Sequence, residues 1–133
     1  MDTTFIIDSS ECLSRRDWTR LLNFVQTLVS FFNISPSGGR IALVPYSSTA
    51  KVVLKFNTLT GSLLNSAEVN RQISRLQCQR GFRRTDKALE LADKEVLTSA
   101  AGMRNISRVN KFTTLRVVAS PLQSCIDCLA HVV

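Results

Sequence analysis

Phe5-Ile6-Ile7-Asp8-Ser9-Ser10-Glu11-Cys12 is an apolar run that passes directly into a carboxylate, two hydroxyls and a second carboxylate. Residues 3–7 read as a short buried strand, apolar and partly β-branched. A strand end that fans out oxygen atoms is a common way to hold a hard cation. The alternative is local: Asp8 and Ser10 terminate the strand and cap the loop that follows. The rest of the chain decides which setting this end occupies.

Downstream of the cluster, residues 15–32 predict a strong amphipathic helix. Trp18, Leu21, Leu22, Val25, Leu28, Val29 and Phe32 recur at spacings of three and four and draw one apolar stripe. Ser14 with Asp17 three residues later is a capping-box-like start. Pro36, Gly38 and Gly39 then form a turn. Residues 40–46 predict a second strand, continuously apolar from Ile41 to Val44, as expected for burial on both faces. After the short turn 47–49, residues 51–56 predict a third strand. So tight a turn implies an antiparallel hairpin, and Pro45 places it near a sheet edge or a bulge.

A second helix is predicted over 67–76, with Val69, Ile73 and Leu76 on one face and Asn65 or Ser66 as its cap. The polar stretch Gln77-Cys78-Gln79-Arg80-Gly81-Phe82-Arg83-Arg84 leads to a third helix over 86–100, with Thr85 as N-cap. Leu89, Ala92 and Val96 are its predicted core face, and Gly102 is placed to end it. Residues 112–119 read as a fourth strand. The order β-α-β-β-α-α-β argues for an α/β sheet with helices on both faces. Ligands in such sheets bind at the carboxyl ends of the strands, where residues 8–12 lie.

These segments together resemble the von Willebrand factor type A domain. The resemblance rests on Asp8-Ser9-Ser10-Glu11-Cys12, the amphipathic first helix, the hairpin GRIALVPYSSTAKVVLKF and the helix opening GFRRTDKALELADKEV. It covers nearly all of residues 2–104. It implies a Rossmann-like three-layer αβα sandwich, with a mostly parallel sheet and one antiparallel edge strand. It also implies a metal-ion-dependent adhesion site built from three loops around Mg²⁺ or Mn²⁺. Asp8 and Ser10 match the first loop, while Cys12 stands where a second Ser belongs, and a thiol is a poor ligand for Mg²⁺. Arg83 occupies the slot of a Thr from the second loop. It places a permanent positive charge at the cation's position, or pairs with Asp8 in the cation's stead. The fourth strand ends in Ser120-Pro121-Leu122 without the Asp of the third loop, and Asp127 is the only later carboxylate. The expected metal ligands are thus Asp8 and Ser10 alone, in a site degenerate at Cys12 and Arg83. The residues themselves favour the local, strand-terminating role. Ligand contacts are expected at Ser9, Glu11, Arg83, Arg84 and Thr85.

The family-like domain is expected over residues 1–120 and is incomplete relative to the family pattern. Residues 121–133 form a tail unlike it. A sheet stopped at the fourth strand would expose that strand as an edge. The resemblance further implies that Cys12 and Cys78 lie at the same end of the sheet, within reach of a disulfide in an oxidising compartment.

Bulk properties bound the function. The 133 residues, 44% hydrophobic and 20% charged, suit one globular domain. No apolar run approaches a membrane span. No basic segment precedes the first strand, so no signal peptide is expected within this chain. The sequons at Asn33 and Asn105 lean towards a secreted protein, and the resemblance implies an extracellular location. The net charge of +7 favours acidic partners. Catalysis finds little support. The single His lies in the tail, no phosphate-cradling glycine loop is present, and Asp8 with Glu11 would need a substrate pocket to act as acid and base. Cys125-x-x-Cys128 with His131 has zinc-like spacing but lacks a second ligand pair. The primary expectation is a non-enzymatic adhesion module binding a matrix protein. The alternative is a metal-independent cationic module that binds polyanions, sulfated glycan or nucleic acid, through the Arg-rich loop 71–84.

Overall fold

The computed structural model describes residues 2–10, 14–104, 113–117 and 130–132. The expectations placed on Glu11, Cys12, the Asn105 sequon and Cys125-x-x-Cys128 lie outside these residues, as does that on the His131 side chain. Four strands form one sheet: β1 (Asp2–Asp8), β2 (Arg40–Tyr46), β3 (Thr113–Val117) and β4 (Ala130–Val132), in the order β2-β1-β3-β4. β1 pairs in parallel with β2, from Asp2↔Arg40 to Asp8↔Tyr46, and in parallel with β3 on its other side. β4 pairs antiparallel with β3, so the edge expected to be bare carries a short partner from the tail.

Side-chain alternation in β1 and β2 sends two sets of residues to opposite faces. Phe5, Ile7, Ile41 and Leu43 pack under helices α1 (Arg15–Ser30) and α2 (Ser66–Ser74). Ile6, Ala42, Val44 and Tyr46 pack under α3 (Thr85–Glu95). The sheet therefore has helices on both faces, as the apolar runs of β1 and β2 require. The α1 stripe is buried from Trp18 to Val29, and the Trp18 indole N–H donates to the Leu76 carbonyl at 3.0 Å. Ser14 caps α1 by accepting from Asp17 N, and Asn65 caps α2 by accepting from Glu68 N.

Several elements differ from the sequence expectation. The predicted strand over 51–56 reduces to two antiparallel bridges, Leu43↔Leu54 and Tyr46↔Ala50. Between them β2 advances three residues and its neighbour four, which is a bulge. The physical reason is Pro45. Its carbonyl accepts from Lys51 N on that side, but it has no N–H to give back. β2 is indeed an edge of the four-strand order, where such a residue is tolerated. The third helix ends at Glu95 rather than near 100. Thr98 turns extended and its hydroxyl accepts from Ala101 N, which starts a separate 3-10 turn, Ser99–Ala101, closed by Gly102 at φ 86°. The core face of α3 is Ala88, Ala92 and Val96, whereas Leu89 is 51% exposed. Small residues at i and i+4 let the helix lie close on the sheet; Ala92 and Val96 were expected there, and bulk alone put Leu89 in the place of Ala88.

Candidate functional site

The α3 face of the sheet ends at Asp8 on β1 and at its register neighbour Tyr46 on β2. The parity of β1 sends the Asp8 side chain towards the residues that open α3, and it is only 2% exposed. Its Oδ1 accepts from Ser10 N at 2.9 Å and from Ser10 Oγ at 2.6 Å. Its Oδ2 lies 2.7 Å from Arg83 Nε. No well-angled hydrogen bond reaches that oxygen, so the contact acts as a charge pair. A buried carboxylate must be neutralised, and here a guanidinium delivered by the loop before α3 does it.

That loop is fastened at several points. Arg80 N donates to the Ser9 carbonyl at 2.9 Å, and Arg84 N donates to the Ser47 carbonyl at 3.0 Å. Phe82 N donates to Ser48 Oγ at 2.9 Å, and Ser47 Oγ donates to Gln79 Oε1 at 3.1 Å. The turn needs a glycine: Gly81 has φ 121°, and a Cβ there would meet Ser48 Oγ at 2.5 Å. Arg80 beside it is left-handed at φ 52°. Cys78 is disulfide-bonded. Its sulfur sits 3.7 Å from the Ser9 carbonyl, a packing contact since a disulfide sulfur carries no proton. The other three cysteines lie outside the described residues.

The expected ligand-contacting residues separate. Ser9 is buried, and both its N–H and its hydroxyl donate to the Tyr46 carbonyl at 2.8 Å, so it holds the two strand ends together instead of facing a ligand. Thr85 is the first residue of α3 and not its cap. Arg84 takes the cap position without a side-chain bond to the helix, and the Thr85 hydroxyl instead shares a 3.0 Å hydrogen bond with Tyr46 Oη. Arg84 is exposed and clasps Asp86 at 2.7 Å, which lowers the Asp86 carboxyl to about 2. Phe82, at the loop tip, is 80% exposed. Tyr46, Ser47, Ser48 and Gln79 were missed as site residues. Their signal was the polar turn that ends β2 beside Asp8.

The described residues at this end of the sheet do not fit a divalent cation. A guanidinium stands against the carboxylate oxygen that a metal would need. No group of three or more His, Cys, Asp or Glu gathers among the described residues.

The sequence model of the von Willebrand factor type A domain matches residues 2–117. Mouse (Mus musculus) matrilin-3 is 27% identical over 104 residues, 78% of this chain and 21% of matrilin-3. The human (Homo sapiens) collagen alpha-6(VI) chain is 30% identical over 114 residues, 86% of this chain and 5% of the collagen. Proximal thread matrix protein 1 from the mussel byssus, solved with a zinc-occupied MIDAS motif, superposes with a TM-score of 0.69 at 20% identity. That superposition covers 86% of this chain and 28% of the mussel protein. The chain thus spans about a fifth of matrilin-3 and about a quarter of the mussel protein.

Proposed function

The chain belongs to the von Willebrand factor type A domain family, and we propose on that premise that it is a non-enzymatic, extracellular-matrix-type module that binds a protein ligand without a metal. The observation that carries this reading is the Arg83–Asp8 pair at 2.7 Å. The mussel protein of similar fold was solved with zinc in its MIDAS motif. Here a fixed positive charge supplied by the chain stands against the Asp8 carboxylate. Ser10 donates both its N–H and its hydroxyl to Asp8 Oδ1, which ties these two residues together without coordination.

Ligand contact is then made by the loop surface above the strand ends. Phe82 offers an exposed apolar anchor, and Arg83 and Arg84 offer guanidinium edges to an acidic side chain of the partner. We take residues 1–120 as the binding unit and Cys12 as the disulfide partner of Cys78. The approach of the Cys78 sulfur to the Ser9 carbonyl, three residues before Cys12, supports that pairing. A bond there would pin the first loop to the Arg-rich loop and suits an extracellular location.

Solid-phase binding to purified matrix proteins in EDTA tests the reading. Binding should be unchanged by EDTA and should fall about tenfold or more in Phe82→Ala, as expected for truncation of an interface anchor. Binding that requires Mg²⁺ or Mn²⁺ and is abolished by EDTA would overturn it.

A further inference from the structure

The positive charge of the Arg-rich stretch is unevenly available. Arg71 pairs with Glu68, Arg83 with Asp8 and Arg84 with Asp86. Arg75 and Arg80 make no ion pair among the described residues. Each lines a groove, and the two grooves flank one ridge, residues 76–78. One groove, of about 580 Å³, carries Arg15 and Arg80; the other, of about 470 Å³, carries Lys51 and Arg75. All four cations are exposed, and no described acidic residue lines either groove. Arg80 also sits in a left-handed conformation that glycine would adopt at less cost, yet a long cation occupies it.

We propose that these two grooves form a binding site for a linear sulfated glycan, with Arg15 and Arg80 on one side of the 76–78 ridge and Lys51 and Arg75 on the other. Cations on both sides of a ridge that make no ion pair among the described residues match anionic groups repeated along a chain, and binding releases the counterions of that chain. Nucleic acid fits less well. Base recognition on single strands uses exposed aromatic platforms, and Trp18, the aromatic residue lining the first groove, is only 8% exposed with its N–H spent on Leu76. The disulfide at Cys78, on the ridge itself, belongs to the oxidising compartments in which sulfated glycans occur. The site does not rest on the protein-ligand reading, because the arginines paired at Asp8 and Asp86 take no part in it.

The test is heparin binding by the purified full chain across a salt series. Arg75→Ala/Arg80→Gly is compared with Arg20→Ala/Arg71→Ala, which removes the same two charges outside the grooves. Arg80→Gly suits the backbone at that position, and thermal melts verify folding. Arg15→Ala/Lys51→Ala is the second, independent groove variant. Each groove variant should weaken binding about tenfold at 0.15 M salt and reduce the salt slope by about two, while the control pair changes far less. No retention on heparin at 0.15 M salt would overturn the proposal. So would equal losses in groove and control variants, which would reduce the effect to net charge. Single-stranded DNA of matched length binding as tightly as heparin would overturn the choice of a glycan.

Discussion

At the scale of single residues, the decisive relation is between Asp8 and Arg83. The carboxylate is almost fully buried, whereas the Arg83 side chain is 35% exposed. Removing one partner of a buried pair leaves an uncompensated charge. Solvent reaches the guanidinium, so the full cost for a deeply buried pair does not apply, and Arg83→Ala should destabilise by about 2 kcal/mol. Asp8→Asn in the Arg83→Ala background should recover part of that loss, because the stranded charge is gone. Chemical denaturation of the two single variants and the double variant measures the coupling. Additive effects would mean that the two side chains are neighbours without being partners. This residue pair was half legible in the sequence. Asp8 at a strand end and an Arg in place of a Thr could be aligned by the family pattern. The burial of Ser9 could not, because a serine in a polar cluster looks like a ligand until the strand register turns it inward.

At the scale of elements, the helices illustrate what periodicity resolves. The α1 stripe was legible because its apolar residues are large and unbroken. The α3 stripe was legible at Ala92 and Val96 but not at its start, because the contact there is made by Ala88, with Leu89 turned to solvent. Small residues carry little hydropathy, yet they set how closely the helix approaches Ile6 and Val44. Ala92→Leu should therefore overpack that face and cost about 1–3 kcal/mol. Leu89→Ala should cost far less, and denaturant midpoints of both would show it. The reverse ranking would put Leu89 back on the core face. The bulged segment after β2 was hinted at by Pro45, but the loss of a regular strand depends on which way the proline nitrogen points. That direction is fixed only by pairing with β1. The loop over the site has a comparable constraint at Gly81, where Gly81→Ala should strain a backbone that L side chains rarely adopt and cost about 1 kcal/mol or more.

At the scale of the whole molecule, the opposite end of β1 is closed by a second charge cluster. Asp2 accepts from Arg40 Nε at 3.2 Å and from Arg104 N and Nε at 2.9 Å each, and the Arg104 guanidinium also reaches the Gly38 carbonyl. It joins the N-terminal strand to the turn before β2 and to the segment after the last 3-10 turn, a link across 102 positions that no local pattern could announce. Burial opposes ionisation of Asp2, but the bonds from Arg104 and Arg40 outweigh it and hold its carboxyl below the ordinary range. A depressed folded-state value means that the unfolded chain binds the proton more readily. The stability contributed by Asp2 is thus present above the ordinary carboxylate range and is lost as pH falls through the lowered value. Asp2→Asn should lower the melting temperature clearly at pH 7, and the difference from the parent should shrink towards pH 2. A constant difference across that range would mean that the ionised carboxylate contributes nothing.

The same whole-molecule stability reports most directly on the central claim, that a guanidinium has taken the place of a cation at the end of β1. The measurement is thermal unfolding of the full chain in EDTA and in millimolar Mg²⁺ or Mn²⁺. A cation present at 100 times its dissociation constant would stabilise the fold by about 2.7 kcal/mol, a shift of several degrees for a domain of this size. With Arg83 holding Asp8, the two melts should coincide. A shift of several degrees in the unmodified chain, lost in Asp8→Ala, would contradict the account, since it would mean that a metal displaces the arginine.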